Sequence, residues 1–155
     1  MMHPNSPPRN YWIVVASKDH AAYGVENSII QANHGKRTAL DRMKPGDEIA
    51  IYSPREAFGM PGRLQAFTAL GRVAGDKVWQ ADMGGNFKPF RRRVEYSRVK
   101  DAPLQPLIER LSFIRNKSSY GAVFRFGIVK IPETDFQVIR TALKDGGRGD
   151  RNTAV

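Results

Sequence analysis

The chain has 155 residues, no cysteine and a formal net charge of +10, with 41% hydrophobic and 26% charged residues. That length and composition fit one soluble domain with a real core, and the lack of cysteine excludes disulfides, thiol nucleophiles and thiolate metal sites. No apolar run approaches the ~20 residues that span a bilayer, so no membrane partner is expected. The polar, proline-rich start lacks the apolar stretch of a signal peptide, and the expected location is cytoplasmic. A sequence pI near 10.2 suits a phosphate-bearing partner, because neutralising phosphates releases condensed counterions. The bland alternative is a solvated basic surface with no partner.

In chain order, residues 1–9 form an expected disordered leader. Tyr11 to Ser17 reads as a strand with both faces apolar, hence central and covered on both sides. Its polar exit, Ser17-Lys18-Asp19-His20, is a candidate pocket rim. From Ala21 to Gln31 the pattern is weak and suggests a loop with one helical turn near Val25 to Ile30. Lys36 to Met43 reads as a short helix, stopped by Lys44-Pro45-Gly46-Asp47. Glu48 to Tyr52 alternates as a strand, Ile49 and Ile51 against Ala50 and Tyr52, and ends at Ser53-Pro54. Arg55 to Gly62 is a glycine- and proline-bearing loop in which Phe58 and Met60 either tuck under or form a lid.

Arg63 to Val73 is a strand with Gly71 marking a bend or bulge. Gly75-Asp76 turns into Lys77 to Ala81, and Met83-Gly84-Gly85-Asn86 is a loop. Phe90 to Val99 alternates Phe90, Arg92, Val94 and Tyr96 against Arg91, Arg93 and Glu95. Pro103 to Leu111 has helical spacing of Leu104, Leu107, Ile108 and Leu111. Asn116 to Gly121 is a polar loop, Val123 to Ile131 forms strand, and Pro132 opens a last helix with Phe136, Ile139 and Leu143 buried. The whole reads as α+β: a curved, mostly antiparallel sheet or partly closed barrel with about three flanking helices. The domain is expected over residues 10–144, with a disordered tail at 145–155.

Several short runs together resemble the EVE-domain family. They are Tyr11-Trp12-Ile13, His34-Gly35-Lys36, Arg42 to Asp47, Tyr52-Ser53-Pro54, Leu64 to Gly71, Phe113-Ile114 and Asp135-Phe136, in the family's order. The resemblance covers roughly residues 10 to 143 and implies a PUA-like barrel, related to YTH readers, that binds modified bases in nucleic acid. It also implies a pocket at the end of the first strand, which favours ligand contact for Ser17 over a turn or cap role. Where the family commonly has Trp-Gly, this chain has Tyr120-Gly121, a smaller ring in a stacking wall.

The expected base pocket is Ser17, His34, Tyr52, Ser53, Tyr120 and Trp12. A flipped base stacks on aromatic rings while hydroxyl or amide groups bond its polar edge. Each residue has a structural alternative: Trp12 as core, and His34 as a turn lock rather than an anion contact. The expected phosphate contacts are Lys36, Arg37, Lys88, Arg91 and Arg93. In a strand, Arg91 and Arg93 share one face and Arg92 opposes them. The histidines are not spaced as helical metal ligands, and no nucleophile elbow, phosphate loop or dinucleotide fingerprint is present. The expectation is therefore a monomer that binds DNA or RNA at a modified base, such as methylated cytosine, with no cofactor, metal or catalytic residue. The alternatives are an enzyme on modified nucleotides or RNA with His34 as general base, and a small-molecule or protein-interaction module.

Overall fold

The computed structural model describes residues 8–32, 37–57 and 59–145. His34, Lys36 and Phe58, and most of the expected leader and tail, lie outside the described residues. Arg9, assigned to the leader, instead donates to Glu48 at 3.1 Å.

The elements are β1 (Tyr11–Val15), α1 (Lys18–Asn27), β2 (Ile29–Ala32), α2 (Arg37–Arg42), β3 (Glu48–Ser53), β4 (Ala66–Gln80), β5 (Phe90–Ser97), β6 (Ala102–Pro103), β7 (Ile128–Ile131) and α3 (Glu133–Lys144). Two 3-10 helices, Gln105–Arg110 and Lys117–Phe126, lie between β6 and β7. The strands make one mixed sheet in the order β2-β5-β4-β3-β1-β7, with β6 against β4. The sheet does not close into a barrel. β1 runs parallel to β3, and the other pairings are antiparallel.

Alternation along β1 and β3 divides the core in two. Tyr11, Ile13, Ala50 and Tyr52 join a cluster with Phe67, Leu104, Phe124 and the α3 residues Phe136, Ile139 and Leu143. Trp12, Val14, Ile49 and Ile51 join the other, with Leu40 and Met43 of the α2 segment. β1 is thus covered on both sides, as its doubly apolar sequence requires. Polar side chains tie the layers. Asp47 accepts from the Trp12 indole N–H at 3.0 Å and the Lys44 amide at 2.9 Å. Asp135 accepts from the amides of Ser112 at 3.0 Å and Phe113 at 2.8 Å.

The structure departs from local pattern in four places. The expected loop at Ala21 to Gln31 is mostly helix α1, followed by strand β2. Its glycine serves packing rather than a turn: a Cβ on Gly24 would lie 2.7 Å from the Ile29 carbonyl oxygen. Gly71 likewise marks a close approach, since a Cβ there would meet Val94 Cγ1 at 2.6 Å and Tyr96 Cδ1 at 2.9 Å. The register irregularities fall instead between Ile51 and Tyr52, and between Val73 and Val78, so β4 continues past Gly75-Asp76. The Leu104 to Leu111 stripe is buried as its spacing implies, but on a 3-10 helix after a two-residue strand. Residues of the expected Asn116 loop and Val123 strand form the second 3-10 helix, leaving only Ile128–Ile131 as strand.

Gly71→Ala is expected to cost about 1–3 kcal/mol, the usual range for overpacking. Urea denaturation would read it, and an unchanged midpoint would refute the close-approach account.

Candidate functional site

A cavity of about 740 Å³ opens where β1 and β3 end, between α1, β2, the loop after β3 and the β4–β5 hairpin. Its apolar lining comes from Val15, Ile29, Ile30, Ile51 and Met83, and its rings are Tyr23, Phe87 and Tyr96. Ser17, Asp19, His20, Gln31 and Arg55 add polar groups. That size and mixture suit a small organic ligand held by apolar walls and oriented by a few polar atoms.

Local chemistry shapes the mouth. The first α1 amides do not point at an empty anion site: Lys18 N–H donates to the Arg55 carbonyl at 3.0 Å and Asp19 N–H to that of Glu56 at 2.9 Å. The loop after β3 is thereby fastened to the helix. Arg55 turns its guanidinium back on that loop, donating to the carbonyls of Met60 at 3.1 Å and Gly62 at 2.7 Å. The Ser17 hydroxyl donates to Asp19 Oδ1 at 2.5 Å, and this bond holds the Asp19 carboxyl below the usual carboxylate range. The wall therefore carries an ionised acceptor. Tyr96 donates to the Ile29 carbonyl at 2.8 Å, and burial pushes its phenol pKa well up, so it stays a neutral donor.

Beside the cavity stands Arg91. Its Nε donates to Gln31 Oε1 at 2.8 Å, and its Nη2 reaches the Tyr23 hydroxyl at 3.1 Å and the Met83 sulfur at 3.2 Å. All three partners line the cavity. Arg93 is exposed on the same strand face, its guanidinium 5.8 Å from the centre of the Trp79 ring. Arg92, on the opposite face, is buried and donates to the carbonyls of Leu40, Met43 and Gly75. The arginine run thus splits as strand alternation requires.

Of the expected base pocket, Ser17 lines the cavity and His34 is outside the described residues. The other four lie away from its wall. Tyr52 stacks on Phe124 at 4.0 Å between ring centres, in the cluster on the other side of β3, and burial with the nearby Tyr120 pushes its pKa up to about 12. Strand alternation turns Ile51, not Tyr52, into the cavity. Ser53 is fully buried and its hydroxyl pairs with that of Thr68 at 2.7 Å. Tyr120 packs against the Tyr52 cluster and donates to Gln65 at 3.0 Å. Trp12 is core, with Arg42 5.5 Å over its ring.

Among the expected phosphate contacts, Arg37 pairs with Asp41 at 3.3 Å and lies 5.4 Å from the Phe90 ring centre. Lys88 is exposed in the hairpin, and Lys36 is outside the described residues. The cavity residues that local pattern did not single out are chiefly Gln31, Met83, Phe87 and Tyr96. One signal was available: an aromatic residue and a methionine flank the Gly84-Gly85 tip just before the arginine run.

The family model for the EVE domain matches residues 10–142. The chain belongs to the EVE-domain family. This EVE domain is 45% identical to a UPF0310 protein of Mesorhizobium japonicum over 135 residues, covering 86% of this chain and 91% of that protein. Its fold is similar to the YTH domain of Zygosaccharomyces rouxii MRB1, solved with N6-methyladenosine RNA. That likeness has a TM-score of 0.61 at 15% identity, covering 86% of this chain and 85% of the other. An ASCH protein of Zymomonas mobilis gives 0.57 at 12% identity, covering 88% and 98%. The EVE domain is thus a PUA-like α+β fold with an open sheet. Among its described residues, no helix is long and apolar enough to cross a membrane.

Proposed function

We propose that this EVE domain binds nucleic acid and takes one modified base, such as a methylated cytosine, into the cavity between α1 and the β4–β5 hairpin. The observation that carries the reading is an aromatic-walled cavity whose wall residues are bonded to a basic strand through Arg91. Rings of Tyr23, Phe87 and Tyr96 suit a flat base, and Met83 suits an added methyl group. The Asp19 carboxylate repels phosphate and accepts from a donor, which favours bases bearing an exocyclic amino group, cytosine or adenine. Arg91, Arg93 and Lys88 supply backbone affinity, while the cavity discriminates. The N6-methyladenosine RNA held by the Zygosaccharomyces rouxii YTH domain supports the same class of ligand. We read the protein as a cytoplasmic monomer that binds without cofactor and without turnover.

The test is fluorescence anisotropy with matched DNA and RNA strands carrying cytosine, 5-methylcytosine, 5-hydroxymethylcytosine or N6-methyladenine. A modification-dependent gap of roughly tenfold, ~1.4 kcal/mol, is expected. Equal, steeply salt-dependent binding to every strand would reduce the site to a basic surface.

Tyr23→Ala is expected to leave folding intact, because the ring is 37% exposed. It should weaken the preferred strand by about 1–3 kcal/mol, the range for a base–aromatic stack. Unchanged affinity in the same titration would remove Tyr23 from the site.

A further inference from the structure

The β4–β5 hairpin carries an exposed indole that neither core uses. Trp79 is 37% exposed, whereas the chain's other tryptophan, Trp12, is 2% exposed. Strand register pairs Trp79 with Arg91, and Arg91 with Gln31. Directly paired residues on neighbouring strands share a face. The row Gln31–Arg91–Trp79 therefore runs from the cavity wall outward across two strand spacings, about 10 Å. Arg93, two residues along β5, shares that face and lies over the Trp79 ring.

Electrostatics give the row a direction. Among the described residues, neither Arg91 nor Arg93 is in an ion pair. Arg91 directs Nε and Nη2 to Gln31, Tyr23 and Met83, whereas no hydrogen bond within the described residues engages the Arg93 guanidinium. Glu95, exposed two residues beyond Arg93, is the acidic boundary of this strip on β5. An indole steadied by an arginine with unused donors, paired in register with the Arg91 that borders the cavity, matches one nucleotide: a base for the ring and a phosphate for the guanidinium.

Building on the base-in-cavity reading, we propose that Trp79 and Arg93 form a second nucleotide subsite on a single strand. Trp79 stacks the base adjoining the one in the cavity, and Arg93 holds that nucleotide's phosphate. Arg91 stands between the two positions. The subsite is indifferent to base identity, because every base offers a π face. The domain then reads one base and grips its neighbour.

The experiment titrates wild type, Trp79→Ala and Trp79→Phe with a single-stranded pentanucleotide containing one central 5-methylcytosine and, separately, with free 5-methylcytidine. Anisotropy and tryptophan emission are both recorded. Wild type should bind the pentanucleotide with quenched emission. Trp79→Ala should lose about fivefold or more on the pentanucleotide and nothing on the nucleoside. Trp79→Phe should recover most of the affinity without the quenching. Equal pentanucleotide affinity in wild type and Trp79→Ala would overturn the subsite alone. Parallel losses on pentanucleotide and nucleoside would also overturn it, by exposing a merely structural effect. A wild type that binds neither probe would sink the base-in-cavity reading, and the subsite with it.

Discussion

Replacing Arg92 with methionine should destabilise the domain by about 3–5 kcal/mol, the largest stability effect expected of any single polar change on the sheet. The side chain is only 2% exposed, and its guanidinium has no carboxylate within hydrogen-bond distance among the described residues. Its work is done on carbonyls. Nε and Nη2 fork onto Gly75 O at 3.0 and 2.8 Å, while Nη1 donates to Leu40 O at 2.8 Å and to Met43 O. α2 is six residues long, too short to hold itself together in water, and its last carbonyls need outside donors. Arg92 supplies them and fastens the helix to both β5 and the β4 irregularity. Burial lowers the guanidinium pKa, and the charges of Asp47, Asp41 and Asp76 oppose that shift. The group remains protonated in any case.

Methionine restores most of the volume but removes every guanidinium donor, leaving the Leu40 carbonyl with the Met43 N–H at 3.2 Å and the Gly75 and Met43 carbonyls without their arginine partner. Lysine keeps the charge without the planar fork, so Arg92→Lys should fall between the two. In a domain of this size the methionine variant should lose roughly 10 °C of thermal midpoint, read by circular dichroism. A drop under about 2 °C would mean that water or relaxation satisfies the carbonyls.

Arg91→Ala and Arg93→Ala should weaken nucleic-acid binding in different ways, although the residues are two apart on one strand. Each removes one cation, so each should reduce the salt slope by about one. Among the described residues no hydrogen bond ties Arg93 to the cavity wall, and its loss should weaken modified and plain strands alike. Arg91 is bonded to Gln31, Tyr23 and Met83, all in the wall. Removing it frees the Tyr23 ring, which also lies 5.7 Å from the guanidinium. Arg91→Ala should therefore lose about 10–100-fold on the modified strand and shrink the gap to the plain one. Anisotropy at several salt concentrations separates the two variants. Identical, sequence-independent losses would reduce Arg91 to a phosphate contact and weaken its proposed link to the cavity.

Much of the sheet is legible from local pattern. The doubly apolar Tyr11 to Val15 run is a strand covered on both sides. Alternation along Phe90 to Ser97 turns Arg92 inward and leaves Arg93 exposed. The α3 stripe of Phe136, Ile139 and Leu143 is buried as its spacing demands. These patterns are short-ranged: side-chain direction repeats every two residues in a strand and about every 3.6 in a helix, whatever the rest of the chain does. Family membership is legible as well, because the order of several short motifs is itself sequence.

The cavity is another matter. Its wall draws on residues from Val15 to Tyr96, in elements that meet only after folding. Alternation separates Ile51 from Tyr52, but nothing local says which of the two sides stays open. That choice falls to packing: Phe124 and Phe67 cover Tyr52, while α1 and the hairpin stand off from Ile51. Gly24 shows the same limit. Helix propensity counts it against α1, yet the Ile29 carbonyl requires it. Direction along an element is a local property of the backbone; a cavity is the space left between distant elements, and only their tertiary packing determines it.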